Sequence, residues 1–384
     1  MNNFEYANPV RILFGKGQIA KIGSLIPQGS RVLITYGGGS IRKNGVLDQI
    51  TGALKSFTVF EFGGIEANPV YETLMKAVAV VKVEKIDFLL AAGGGSVVDG
   101  TKFIAAAALY EGADPWEILS RQEAVTKTVP LGAVITLPAT GSEMNPMAVI
   151  TRHSTQEKLA NSFAFPQFSV IDPEATFSLP PRQVGNGIVD TFAHVLEQYL
   201  TYPANAPVQD RFAESILLTL LEIGPKTYAD PNDYDARAAL CWASTQALNG
   251  WIGQGVPQDW STHMIGHEIT ALTGMDHGQT LAVVFPAIME FGREFKRAKL
   301  LQYAGRVWGV RSGAEDERID AAIAKTRAFF ESVGVPTRFK AYGVNGAEIA
   351  PKIAERFAKR GWAGLGESHK VTPESVPVIL SHSL

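Results

Sequence analysis

Ile86-Asp87-Phe88-Leu89-Leu90-Ala91-Ala92-Gly93-Gly94-Gly95-Ser96 is the stretch on which the fold turns. Residues 86–92 are almost continuously apolar, the pattern of a strand buried on both faces. Three glycines stop it, and an alanine-rich helical stretch follows through Ala105 and Ala108. Working outward, the same texture recurs. Residues 31–36 (RVLITY) read as a buried strand ended by Gly37-Gly38-Gly39, and residues 56–62 alternate like a second. Residues 71–83 carry helical spacing at Leu74, Val78 and Val81, and residues 131–137 and 168–171 read as further strands. Strands alternating with helices predict βαβ units and a largely parallel sheet. After Leu179-Pro180-Pro181 the texture changes. Residues 188–200, 210–221 and 236–248 have helical spacing, and no strand is evident. The prediction is an α/β, Rossmann-like N-terminal domain over residues 1–179 and an all-helical domain over residues 180–384. Residues 377–384 are apolar, contain a proline and receive no assignment.

Composition narrows the function. With 46% hydrophobic and 19% charged residues, the chain of 384 is an ordinary globular one. Its formal charge of -3 argues against a nucleic-acid binder that works by neutralising phosphates. A single cysteine, Cys241, excludes an internal disulfide and a CxxC metal or haem site. The longest apolar runs, such as residues 103–109, are too short to span a bilayer. No basic segment followed by an apolar one opens the chain, so a cytoplasmic protein is expected.

Gly93-Gly94-Gly95-Ser96 lies where a strand hands over to a helix, a place where backbone N–H groups and the helix dipole receive a pyrophosphate. Ser96 is expected to cap that helix and Asp99 to complete a capping-box variant. An ordinary tight turn would read the same way, and the GxGxxG fingerprint is absent. The loop Tyr36-Gly37-Gly38-Gly39-Ser40 has no acidic residue to hold a ribose 2′-hydroxyl, and Arg42 and Lys43 follow it. That chemistry suits a 2′-phosphate, or simply two solvated cations. A third loop, Thr136 to Glu143, also follows a strand and is rich in small and hydroxyl side chains.

The histidines are more specific. Asp190 and His194 are four apart, as are His263 and His267, so each pair shares a helix face; His277 follows beyond Gly274. Imidazoles with a carboxylate suit a divalent ion such as Fe²⁺ or Zn²⁺. His267-Glu268 begins like HExxH, but Ala271 stands where the second histidine belongs, which removes a zincin protease.

These motifs in this order resemble the iron-containing alcohol dehydrogenases: Gly93-Gly94-Gly95-Ser96 with Asp99 and Lys102, Pro138 to Glu143, Asp190 with His194, and His263 with His267 and His277. Tyr36-Gly37-Gly38-Gly39-Ser40 and Gln258-Asp259-Trp260 are similar to the branch of NADP-dependent aldehyde reductases and butanol dehydrogenases. The resemblance implies a dinucleotide-binding domain joined to a helical metal domain, the architecture shared with dehydroquinate synthase. It implies Asp190, His194, His263 and His277 as metal ligands, with His267 close by. It implies NADP(H) contacts at Gly37, Gly38, Ser40, Gly94, Gly95, Ser96, Asp99, Thr136, Thr140, Asn145 and Lys158. NAD-dependent relatives carry Asp at the place of Gly38, so its absence points to NADP. The last fifteen residues depart from the family's usual C-terminal helix.

The expected reaction is reversible, NADPH-dependent reduction of an aldehyde to a primary alcohol, with the metal as Lewis acid. His267 is expected to relay the proton, since imidazole titrates in a suitable range. A homodimer is expected, with residues 10–14 as a pairing edge. Trp251, Trp260, Phe163 and Met144 are candidates to line the substrate pocket or to be core. A glycerol-dehydrogenase-like polyol oxidation is the nearest alternative. A dehydroquinate-synthase-like lyase would need a basic cluster for a phosphorylated substrate, and none accompanies the histidines.

Overall fold

A computed structural model describes residues 1–384. The strands are β1 (Arg11–Phe14), β2 (Arg31–Tyr36), β3 (Thr58–Phe62), β4 (Phe88–Gly94), β5 (Leu131–Leu137), β6 (Met147–Arg152), β7 (Glu157–Ser162) and β8 (Phe168–Ile171). Among them run α1 (Ser40–Lys43), α2 (Val46–Ala53), α3 (Tyr71–Val83), α4 (Gly95–Ala107) and α5 (Glu117–Ser120). Then come α6 (Pro181–Tyr199), α7 (Pro207–Ala229), α8 (Tyr234–Ala247), α9 (Ser261–Thr273), α10 (His277–Phe291), α11 (Arg297–Arg306), α12 (Glu315–Ser332), α13 (Gly346–Lys359) and α14 (Ser375–Ser381).

Six strands form a parallel sheet in the order β1-β8-β5-β4-β2-β3. The unbroken apolar runs of β2 and β4 follow from burial on both faces. Leu33, Leu89 and Ala91 join the core with α3 and α4, while Val32, Ile34, Phe88, Leu90 and Ala92 join the core with α2. A strand covered on both sides has no use for the polar alternation of a half-exposed one.

The chain divides into two compact units. One comprises Ala7–Leu179 and Pro231–Thr245, the other Met1–Tyr6, Pro180–Asp230 and Gln246–Leu384. The assignment of residues 180–384 wholly to a helical domain therefore needs adjusting, because most of α8 belongs with the sheet. Cys241 lies in the sheet core, Trp242 meets Phe14 of β1 edge-on, and the Thr245 hydroxyl donates to Glu143 at 2.6 Å. Helical periodicity identifies α8 as a helix; it carries no information about which core the helix joins.

One local expectation is corrected and two segments without an assignment gain one. α4 begins at Gly95 with Gly94 as its N-cap and no side-chain cap, so Ser96 does not cap it. Ser96 instead accepts from the Asn68 backbone N–H at 3.3 Å, and the Asp99 carboxylate accepts from Ser142 Oγ at 2.6 Å and the Val149 N–H at 3.0 Å. Residues 147–162 form an antiparallel hairpin, β6–β7, that sequence reading passed over. The unassigned C-terminus forms α14, whose Val376, Ile379 and Leu380 pack against Ile353 and Phe357 of α13 and Ile288 of α10. Pro377 is its third residue, within the first turn, where a missing N–H leaves no helical bond unmade.

Candidate metal centre

α6 is buried almost all round from Val184 to Tyr199, yet it carries Asp190, His194 and Glu197 inward. Buried polar groups of this kind require partners. α9 supplies His263 and His267, and the α9–α10 turn delivers His277 as the first residue of α10. Asp276 caps α10 in a capping box with Gln279, and its carboxylate also accepts from Asn186 and Arg182 of α6, at 2.8 Å each. The start of α10 is thus tied to the helix that carries Asp190. Gly278 allows the approach, since a Cβ there would lie 2.6 Å from the Asn186 carbonyl oxygen.

Asp190 Oδ1 is the hub. His194 Nδ1 lies 3.6 Å from it, His277 Nε2 3.7 Å and His263 Nε2 3.9 Å. Atoms bound about 2.0–2.2 Å from a single ion stand roughly 3.3–3.6 Å apart in a tetrahedron, and the three distances from Asp190 Oδ1 lie close to that range. Donor atoms of Asp190, His263 and His277 lie within 4.8 Å of one another. His194 falls outside that trio; its ring stacks on His263 at 4.7 Å between centroids. His267 is also outside it, buried, with its ring 5.3 Å from that of His277. A carboxylate and imidazoles at this spacing fit a divalent transition metal.

Glu197 was not anticipated. Fully buried one turn beyond His194, it accepts from the His263 backbone N–H at 3.1 Å, and its Oε1 lies 2.9 Å from His263 Nδ1. With Nδ1 donating, Nε2 presents its lone pair toward Asp190, the carboxylate–histidine arrangement that orients a metal ligand. Burial, then the Asp259 carboxylate, push the Glu197 carboxyl well above the usual range. The signal was present in the sequence: positions 190, 194 and 197 share one helical face. Beside His267, Glu268 is held by Arg356 and Arg360.

The dinucleotide candidates lie in the other unit. Because β2, β4 and β5 are adjacent and parallel, the loops bearing Gly37, Gly38 and Ser40, Gly94 to Ser96, and Thr136 to Asn145 all leave the same sheet edge, where α/β sheets bind nucleotides. Gly39 has φ +88°, and space is open beyond Gly38. Gly95 has a packing reason as well, since a Cβ would collide with Thr140. Not every candidate faces outward. Asp99 is engaged as described, and Asn145 Oδ1 accepts from the Met147 N–H at 2.9 Å. Lys102, fully buried, donates to Ser142 O and Oγ at 2.7 Å and Met147 O at 2.8 Å, and burial lowers its amine to about 8. Lys158 donates to Asn68 Oδ1 at 2.7 Å, joining the Ser96 neighbourhood. Arg42, left open between a 2′-phosphate contact and a solvated cation, is exposed and bonds Tyr36 and Glu61, each at 2.5 Å. Of the pocket candidates, Phe163 is core and Trp251 packs on Tyr6 and Phe212, while Trp260 stands edge-on to His263.

Comparison with known proteins agrees with this layout. Residues 9–173 match a model of the iron-containing alcohol dehydrogenases, and residues 185–384 match one for the C-terminal part of that family. The chain is 58% identical over 376 residues to the NADPH-dependent aldehyde reductase YqhD of Escherichia coli K12, covering 97% of each. It is 40% identical to a probable NADH-dependent butanol dehydrogenase of Bacillus subtilis, over all of both chains. Among solved structures, that of the substrate- and cofactor-free E. coli YqhD superposes with a TM-score of 0.93 at 55% identity, covering 100% of both. The NADH-dependent butanol dehydrogenase A of Thermotoga maritima gives 0.94 at 37% identity, covering 100% of this chain and 99% of that one. Two family models that together span nearly the whole sequence, and relatives that match from end to end, make the chain a member of the iron-containing alcohol dehydrogenase family.

Proposed function

We propose that the protein is an NADPH-dependent aldehyde reductase, interconverting aldehydes and primary alcohols with one divalent metal, Fe²⁺ or Zn²⁺. The observation that carries the reading is the approach of His194, His263 and His277 to one oxygen of Asp190, at 3.6–3.9 Å. The 58% identity to an NADPH-dependent aldehyde reductase supports the substrate class and the cofactor.

In this reading Asp190, His194, His263 and His277 hold the ion, which when bound supplies Lewis-acid polarisation of a carbonyl while NADPH supplies hydride. The chain's own groups do the rest. Asp190 brings the one negative charge, lowering the net charge of the centre. Glu197 holds the His263 ring in register. His267 delivers the proton that the product oxygen needs, through an imidazole that stands beside the donor set rather than in it. Gly37, Gly38, Ser40, Gly94, Gly95, Ser96, Thr136, Thr140 and Lys158 receive the dinucleotide. Asp99 and Asn145 hold the receiving loops in place, bound as they are to Ser142, Val149 and Met147. No helix is long and apolar enough to cross a membrane, which agrees with work in the cytoplasm. A homodimer is part of the proposal, with edge strand β1 at the contact, since β8 takes only one of its sides.

The test is the loss of NADPH absorbance with a series of simple aldehydes, before and after chelation. Aldehyde-dependent oxidation that disappears with the metal and returns with Fe²⁺ or Zn²⁺ is expected. An unchanged rate in the stripped protein sinks the reading.

A further inference from the structure

Trp260 is an anomaly at the metal centre. It has φ +65°, a region that bulky side chains rarely occupy. The other non-glycine residues with positive φ are Asn68, Lys85, Gln122, Gln156, Asn205 and His369, all polar. Strain of this kind persists only where the surroundings impose it, and it gathers at functional positions.

The surroundings here are unusually binding. Asp259, just before Trp260, gives its backbone N–H to Glu197 O at 2.8 Å, while its Oδ1 accepts the Ser261 N–H at 3.0 Å. Its Oδ2 takes the Lys296 ammonium at 2.7 Å. Lys296 is itself buried and also donates to Leu200 O at 2.6 Å and Glu367 at 3.0 Å. Gly366, with φ +78°, is needed beside this cluster, because a Cβ there would lie 2.6 Å from Asp259 Oδ1. One side of Trp260 is thereby locked to the end of α6 and the other to the start of α9. The ring Nε1 donates to Gln258 Oε1 at 2.8 Å. The indole stands edge-on to His263, 5.3 Å between centroids, and 6.2 Å from His194. It is only partly buried, so part of a large rigid surface beside the donor set remains open.

We propose that Trp260 is a specificity-determining residue: its indole, presented by the buried Lys296–Asp259–Glu367 cluster, walls the metal centre and excludes aldehydes that are bulky next to the carbonyl. This rests on the reading that the centre takes an aldehyde. A hydrophobic wall discriminates through the methylenes it admits or rejects, worth roughly tenfold each or somewhat more.

Two variants test it. Trp260→Gly adopts the left-handed backbone without strain and removes the wall, and Trp260→Phe keeps most of it. The readout is kcat/KM for an α-branched aldehyde divided by that for its unbranched isomer, with metal content and the KM for NADPH measured alongside. Trp260→Gly is expected to raise the ratio roughly tenfold, at unchanged metal content and NADPH KM, and Trp260→Phe to leave it within about twofold. An unchanged ratio in Trp260→Gly overturns the proposal, as does loss of metal, which would make the residue structural. A second readout does not depend on turnover. Titrating Fe²⁺ into stripped protein is expected to quench tryptophan emission, with much of the quenching lost in Trp260→Phe; equal quenching in both proteins also overturns it. Should the wild-type protein reduce neither aldehyde, the aldehyde reading fails by itself, and the quenching still decides whether Trp260 faces the ion.

Discussion

His263 shows how one residue is built for its task. Its backbone N–H and its Nδ1 both meet Glu197, so the side chain has one orientation available and Nε2 faces Asp190. His263→Ala and His277→Ala are expected to lose both metal and activity, with elemental analysis of the purified variants as the check. Glu197→Ala should keep the fold but weaken metal affinity about 10–100-fold, the usual consequence of removing a partner behind a metal ligand; competition with a chelator measures it. His267→Ala is expected to retain the metal while turnover falls by about 10²–10⁴, the range for a lost proton donor. Metal leaving with His267 would make it a ligand instead. Gly38→Asp, with open space for its side chain, should shift preference from NADPH to NADH by repelling the 2′-phosphate, read as the ratio of the two kcat/KM values. Asp190 and the four histidines stand out in the sequence as candidates because chemistry restricts them: few residue types bind a divalent ion, and spacings of four place Asp190 with His194, and His263 with His267, on one helix face. Glu197 and Lys296 were not singled out, and Asp259 only as part of the Gln258-Asp259-Trp260 motif, because they touch other protein groups rather than a ligand. A lone buried Lys or Glu looks in sequence like any solvated one.

At the scale of elements, legibility followed burial. β2 and β4 are short, apolar runs closed by glycine, and such runs have few other uses. β6 and β7 are mixed in polarity, form a two-stranded sheet of their own and border loops rich in Ser and Thr, so their pattern merges with the loop before them. α14 is seven residues long with a proline, too short to show a period. Two α4 side chains reach β6: Asp99 accepts the Val149 N–H, and the Lys102 ammonium reaches Met147 as well as Ser142 before it. Burial, opposed by Asp99 and Glu143, lowers its amine from 10.5 to about 8. The sign follows directly. Between about pH 8 and 10.5 the unfolded chain holds a proton at this site that the folded one has released, so stability gained here rises with pH across that window and is lost as pH falls through 8. The denaturation midpoint of the wild-type protein should therefore gain relative to that of Lys102→Met as pH rises through this interval. A difference that is flat or shrinks contradicts the assignment. The Lys296 cluster predicts a different outcome. Lys296→Met strands two buried carboxylates and should destabilise the helical unit by about 3–5 kcal/mol, measured by urea denaturation.

At the scale of the whole molecule, the residues proposed for the two ligands belong to different units, each with its own core. Every proposed metal-holding side chain belongs to the unit built on α6, α9 and α10, and every proposed dinucleotide contact belongs to the sheet unit. A ligand that binds only the folded state stabilises what it touches by RT ln(1 + [L]/Kd), about 4 kcal/mol at a thousandfold excess over Kd. Metal and cofactor should therefore leave different imprints on hydrogen exchange. Loading Fe²⁺ or Zn²⁺ is expected to slow the amides of α6, α9 and the first turn of α10, where Asp190, His263 and His277 become bridged by one ion. NADPH is expected to slow the amides of Gly37 to Ser40, Gly94 to Ser96 and the loop through Thr140. Opening within one core need not expose the other, because each unit keeps its own apolar cluster, with Phe357 and Ile379 in one and Leu33 and Leu90 in the other. Metal-dependent protection centred on the glycine loops, or NADPH-dependent protection centred on α9, would reverse the assignment of the two sites. Protection from each ligand in its own unit supports it from a measurement in which no substrate turns over.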